Sequence, residues 1–365
     1  SHWRAMWSLA LPMARPAIIA GLSLALMETL ADYGTVQYFG VSTFTTGIFR
    51  TFYGYGDTAA AAQLAASLLA FVMLLILLER YSRRRARYHS ASESKARADL
   101  IPLMGRNAVI AVSVCLAPLM FGFIIPATQL LFWAVFEAEP LGWEFVSLAW
   151  NSFSLAFVAA IIAATLAIIL SYARRNRPIK PVRTLIAMAG FGYALPGTII
   201  AIGVLIPLAW LDHSLIALFE RFGWRSPGLI LSGSLVALLF AYTVRFLAVA
   251  LGSVHSGLEK IKPSLDHAGR SMGHSPWAII SKIHVPLMRS SILTAVLIVF
   301  VDVLKELPAT LILRPFNFNT MAVRAYELAS DERLVDAAPA SIMIVLVGLI
   351  PVLMLHGSIA HRRPQ

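Results

Sequence analysis

The chain has a single cysteine, Cys115, among 365 residues. Disulfide frameworks, cysteine-built zinc sites and iron–sulfur clusters all need more. Charge is scarce too. Asp, Glu, Lys and Arg make up 13% of the chain, against about 25% in soluble domains. No GxxxxGK[ST] segment occurs, so the chain lacks the loop that cradles ATP phosphates in P-loop hydrolases. Nor does the start at Ser1 carry the layout of a secretory signal.

Apolar length is abundant instead. Hydrophobic residues are 58% of the chain, and mean hydropathy is +0.74. A membrane-crossing helix needs about 20 mostly apolar residues. Six runs free of Asp, Glu, Lys and Arg reach that length: 58–78, 107–136, 145–173, 184–211, 226–244 and 337–361. Two more, 13–38 and 287–313, are as apolar but carry internal charges: Glu28 and Asp32 in the first, Asp302, Lys305 and Glu306 in the second. The pattern predicts an all-α integral membrane protein with about eight spans, rather than a large soluble helical core.

The net charge of +11 would suggest nucleic acid in a soluble chain. Position gives it another meaning. Of the 30 Lys and Arg, only Arg50, Arg221, Arg225, Arg314, Arg324 and Arg333 fall on one side of the predicted membrane, and Arg245 and Lys305 fall within spans. The rest crowd 1–15, 80–106, 172–183, 251–289 and 362–365. Cytoplasmic loops carry the excess of Lys and Arg, so both termini are expected in the cytoplasm, with no nucleic-acid partner. Arg245 is expected to snorkel from the inner end of its span. Residues 86–106, polar, basic and Ser/Ala-rich, read as a cytoplasmic linker, and the basic cluster also suits anionic lipid heads.

An internal repeat runs at an offset of 274 residues. It pairs Pro12 with Pro286, Arg15 with Arg289, Leu30 with Leu304, Thr46 with Thr320, Arg50 with Arg324 and Asp57 with Asp331. Glu28 and Asp32 fall on Asp302 and Glu306, and after a two-residue slip Ala61 falls on Ala337. Both copies have the same orientation, as in a parallel repeat about an axis along the membrane normal. The chain then divides into residues 1–85 (the last two spans of a first unit), the linker 86–106, and residues 107–365 (a six-span second unit). A duplicated architecture predicts about four further spans upstream of Ser1.

The inner loop 251–289 carries a spaced motif. His267, Ala268 and Gly269 are followed by Gly273, then by Ile283, Val285 and Pro286, with Asp266 beside His267. This resembles the EAA-x3-G-x9-I-x-L-P loop of binding-protein-dependent ABC importer permeases, and departs from it at the first and third positions and at Val285. Leu9, Leu11 and Pro12 match the end of the same motif at the start of the chain, where its glycine would stand one residue before Ser1. The resemblance implies two short helices, turning at Gly273, that dock on a separate ATPase. It implies a type I permease fold, two ATPase copies, a periplasmic binding protein, the bacterial inner membrane, and no cofactor on this chain. Residues 27–65, 192–205 and 301–334 further resemble the fused ferric-iron permeases. Sister families for thiamine, aminoethylphosphonate or polyamines share the loop. An ion-coupled secondary transporter would also show repeats and buried acids, but would not need this loop.

Charges within a span cost at least about 2.5–3.5 kcal/mol, so they face a cavity or a partner. Glu28 and Asp32, and Asp302 and Glu306, stand at i, i+4 and would share a helix face, the two pairs facing each other, with Lys305 off that face. They read either as a gate glued by Lys305, or as a path with transient Fe3+ contact, since a hard cation favours oxygen donors. Pro196 and Gly197 would break the helix ladder inside a span, beside the pathway or as a packing kink. His267, His274 and His284 are expected on the loop surface.

Overall fold

The computed structural model describes residues 4, 6–84, 104–176, 179–226 and 228–360. Among these the secondary structure is helical, with no strand. The helices are α1 (Leu11–Ala31), α2 (Gly34–Tyr38), α3 (Phe44–Phe49), α4 (Thr58–Arg84), α5 (Gly105–Leu119), α6 (Ile125–Phe136), α7 (Trp143–Asn176), α8 (Lys180–Ala189), α9 (Gly197–Arg221) and α10 (Leu235–Glu259). Beyond them lie α11 (Pro263–Ser271), α12 (Pro276–Ile279), α13 (Arg289–Leu304), α14 (Pro308–Leu313), α15 (Met321–Ser330) and α16 (Leu334–Ala360). The linker expected over 86–106 lies largely outside the described residues.

Among the described residues, five stretches are long and apolar enough to cross a membrane unbroken: Thr58–Leu78, Gly105–Phe136, Trp143–Asn176, Gly197–Arg221 and Leu235–Glu259. The two charge-bearing stretches belong to bent pairs. Met6–Arg15 and Ala17–Ala31 meet at 56°, and Pro276–Leu287 and Arg289–Leu304 meet at 81°. The expected eight spans thus become five unbroken helices, two bent pairs and the shorter apolar helix Leu334–Ile350. The expected span 184–211 also moves. α8 ends at Ala189, and α9 starts only at Gly197, after a break through Leu195 and Pro196 in extended backbone. Pro196 and Gly197 therefore open a helix rather than interrupt one. Hydropathy could not show this, because the broken segment is itself apolar.

Three π-helical turns share one cause. Met6–Ala10, Met120–Ile124 and Ile280–His284 each stand immediately before an X-Pro pair, ending in Pro12, Pro126 and Pro286. A proline has no N–H to donate and its ring clashes with the carbonyl four residues back. Widening that turn lets the helix pass the proline without breaking. Two of these turns stand at equivalent repeat positions.

The repeat holds element by element. In each copy a π turn leads through a proline into a long helix, α1 or α13. A break follows, and then a short helix begins at equivalent positions, Gly34 in α2 and Pro308 in α14. A helix capped by a threonine comes next: Thr43 accepts from the Thr46 N–H, and Thr320 from the Val323 N–H. A long helix, α4 or α16, closes each copy.

The core lies where α7, α10 and α13 pack together. One face of α7 is a stripe of buried small residues, Ala156, Ala159, Ala160, Ala163, Ala164 and Ala167, set against Ala237, Ala241 and Ala250 of α10 and Ala295 of α13. Small residues let helix backbones approach closely where lipid supplies no hydrophobic drive. α5 and α6, by contrast, bury none of their described side chains, as suits an apolar helix facing lipid.

Asp212, in the C-terminal half of α9, holds the loop that follows. Its carboxylate is fully buried and accepts the N–H groups of Ile230, Leu231 and Ser232 and the Ser232 hydroxyl, at 2.7–3.2 Å. Asp212→Ala leaves those donors without their acceptor. It is expected to lower stability by about 1–3 kcal/mol, read as an earlier thermal transition and faster protease nicking after Trp224. An unchanged nicking pattern would remove this role.

Candidate functional site

Two sites emerge, a cavity between the repeat copies and the inner loop. The cavity holds about 450 Å³ and is lined by Glu28, Asp32, Asp302, Lys305, Glu306, Arg245, Tyr193 and the break of each copy. Its polar residues sit where they do because α1 and α13 both stop there. Asp32 is already in extended backbone, and Lys305 closes α13. Free helix ends need partners, and the acids supply some. Asp32 Oδ1 accepts the Thr35 N–H at 3.2 Å, and Glu306 Oε1 accepts the Ala309 N–H at 3.1 Å.

Because of these breaks the acids do not form two helical i, i+4 faces. Asp32 and Glu306 each lie past a helix end, so only Glu28 and Asp302 project from the long helices. The two acids of the second copy have cations. Asp302 Oδ1 is 3.1 Å from Lys305 Nζ, and Glu306 Oε1 is 3.1 Å from Arg245 Nη1. Among the described residues no hydrogen bond or ion pair engages Glu28, whose side chain is exposed to the cavity. No group of three or more His, Cys, Asp or Glu residues in metal-holding geometry occurs among the described residues.

Arg245 does not snorkel. It lies mid-helix in α10, is 9% exposed, pairs with Glu306, and stacks its guanidinium 5.5 Å from the Phe246 ring. Its position within the helix, eleven residues past the Ser234 cap rather than near an end, is the reason. Gly197 explains how the pair fits. A Cβ there would lie 2.2 Å from Arg245 Nη1 and 2.4 Å from Glu306 Oε1. The glycine makes room for a buried ion pair.

Tyrosines bridge the two copies. The Tyr33 and Tyr326 hydroxyls are 2.9 Å apart, and Tyr33 stacks on Phe49 at 3.8 Å. The Tyr53 hydroxyl donates to the Leu311 carbonyl.

At the inner loop, α11 ends in a turn at Gly273, whose φ of +78° is a left-handed value that glycine adopts freely. The His274 N–H donates to the Gly269 carbonyl, closing the helix end. Ser275 caps α12 by accepting from the Ala278 N–H. Gly269 is buried, and a Cβ there would press on Ile283 and Ile279 at 3.1–3.2 Å. His267 and Ala268 face outward. Ile283 is half-buried against the small core of Tyr172, Ile279 and Ile280, while Pro286 is exposed at the bend. In the first copy, Leu9, Leu11 and Pro12 are exposed on the equivalent segment.

His284 is not on the surface. It is 1% exposed, with Nε2 2.8 Å from Asp266 Oδ1. Asp266, not His267, is the acid that turns inward; it is buried and lies 2.6 Å from Arg175 Nε. The signal was the helix phase: Asp266 and Gly269 stand at i, i+3, so they share the buried face. Burial pushes the His284 imidazole below its ordinary value of 6.5, against the pull of Asp266. The unfolded loop therefore takes a proton near 6.5, and the folded loop only at lower pH. The stability held above that pH falls as pH drops below it. Hydrogen exchange over 263–286 is expected to quicken on acidification in the wild type and much less in His284→Gln. Equal acceleration in both would exclude His284 as the cause.

The comparisons agree with this architecture. The family described as binding-protein-dependent transport system inner membrane component matches residues 1–88 and 185–362. The Fe(3+)-transport system permease protein FbpB 2 of Haemophilus influenzae is 25% identical over 96% of this chain and 67% of its own length. The ferric transport system permease protein FbpB of Actinobacillus pleuropneumoniae is 22% identical over 95% of this chain, which spans about half of it, 51%. A 2-aminoethylphosphonate transport system permease protein, PhnV, of Salmonella typhimurium is 23% identical over 55% of this chain and 72% of its own. A crystal structure of a bacterial alginate ABC transporter with its periplasmic protein superposes with a TM-score of 0.50 at 12% identity, over 68% of this chain and 91% of that one. The likeness is one of fold. With its apolar helices and its match over most of its length, this chain belongs to the family of binding-protein-dependent transport system inner membrane components.

Proposed function

We propose that this chain is the membrane-spanning subunit of an ATP-driven importer that carries ferric iron from a periplasmic binding protein into the cytoplasm by alternating access. The inner loop carries the reading. It folds as two short helices about a glycine turn, backed by its own small core. It still exposes Leu265, Met272, Trp277 and Leu287 at 43–68%, apolar groups suited to a groove on a partner. In this reading two ATPase copies bind the two inner loops and supply the ATP chemistry. This chain binds no cofactor, and both its termini are cytoplasmic.

The names of the relatives support iron as cargo, as does the surplus of acids over cations in the cavity. The aminoethylphosphonate relative and the two cavity cations favour a second reading, an anionic substrate. Both cations are already paired with acids, which favours the cation.

The test is capture of the chain from membranes expressing the ATPase. The wild type is expected to bring the ATPase down. Gly273→Val, which no longer tolerates φ +78°, is expected to bring down about tenfold less. A chain that carries substrate without any ATPase would overturn the reading.

A further inference from the structure

One side chain fastens the inner end of α7 to the inner loop. Arg175 Nε donates to Asp266 Oδ2 at 2.6 Å, Nη1 to the Leu258 carbonyl at 2.7 Å and Nη2 to the Ile261 carbonyl at 2.9 Å. Leu258 belongs to the end of α10 and Asp266 to α11. His284, in the π turn, reaches the other oxygen of the same carboxylate. Four segments of chain thus meet at one guanidinium. Its planar fork suits this task, and a lysine would supply only a point charge.

The other end of α7 is also tied. Ser152 Oγ accepts the Met321 N–H at 2.8 Å, and Asn151 Nδ2 donates to the Asn319 carbonyl at 3.4 Å. Asn319 lies in the connection between α14 and α15, and Met321 is the first residue of α15. From Ser152 to Arg175 the helix rises about 35 Å at about 1.5 Å per residue. The alanine stripe lies between, packed too closely to deform gradually.

We infer that Arg175 is a positioning residue that makes α7 the strut between the two faces. Movement of the inner loop pulls α7 through Arg175, and α7 moves the 319–321 segment. The outer face acts back on the ATPase by the same route, since coupling is reciprocal. This rests on the reading of the inner loop as the ATPase dock.

The test uses the full complex in liposomes, with its ATPase and its loaded binding protein. The readout is ATP hydrolysis with binding protein divided by hydrolysis without it. In Arg175→Met the complex is expected to assemble with its basal hydrolysis kept. The ratio is expected to fall at least about fivefold, the lower end of ordinary coupling strengths. Arg175→Lys, which keeps the charge but not the planar fork, should fall between, and Arg175→Gln should resemble Arg175→Met. An unchanged ratio in Arg175→Met would overturn the inference. So would a failure of all three variants to assemble, which would make the cluster a folding element alone. A wild-type chain that binds no ATPase would overturn the underlying reading instead.

Discussion

Arg245→Met is expected to destabilise the folded chain by about 3–5 kcal/mol, the usual cost of leaving a buried charge without its partner. The stranded group is Glu306, which is 5% exposed. Its remaining partner is the Ala309 N–H, so the carboxylate could not simply turn to water. The double variant Arg245→Met with Glu306→Gln removes both charges and keeps an acceptor for Ala309. It is expected to recover most of the stability, because an apolar or neutral replacement of a whole buried pair is often close to neutral. Uptake is expected to stay low in the double variant, since the cavity has lost one of its two ion pairs. Thermal unfolding and uptake, measured side by side, separate the two roles. A single variant as stable as wild type would show that the pair is solvated, against the burial seen here.

Among the described glycines, Gly192→Ala is expected to be the most damaging added methyl group. A Cβ at Gly192 would lie 1.8 Å from the Val244 carbonyl oxygen and 2.8 Å from its carbon. Both are backbone atoms of α10, so no side chain can swing aside. Relief requires the break before α9 to move away from α10, at the residue next to Arg245. The expected cost is at or above the roughly 1–3 kcal/mol of ordinary overpacking. Gly197→Ala meets the far ends of two side chains instead. It should cost less stability but displace the Arg245–Glu306 pair, so its larger effect is on uptake. Gly203→Ala, where a Cβ meets nothing within 4 Å, is the control and should behave as wild type. If Gly192→Ala melted with the control, the close approach of the break to α10 would be wrong.

Membrane character, the repeat and the inner-loop motif were legible because each depends on residue type at regular spacing. Hydropathy finds spans, and identities at one offset find a duplication. Breaks within apolar sequence left no such trace. The segment from Phe191 to Pro196 is apolar throughout apart from Tyr193, and Met288 at the 81° bend is an ordinary apolar residue. Pairing across the fold was equally silent. Arg245 and Glu306 are far apart in sequence, so Arg245 read as an interface residue. Asp266 and Arg175 were each visible as charges, but only the packed loop shows that one holds the other. Three of the π turns were legible in retrospect, since each precedes a proline that an α-helix would have to skirt; the turn Arg50–Gly54 has no such mark.

The most direct measurement is uptake of radiolabelled ferric iron into liposomes holding this permease, its ATPase and a loaded binding protein. Uptake is expected only with ATP inside, where the ATPase sits. It should vanish in Gly273→Val and survive collapse of proton and sodium gradients. Uptake that runs without ATP and follows an ion gradient would contradict the account.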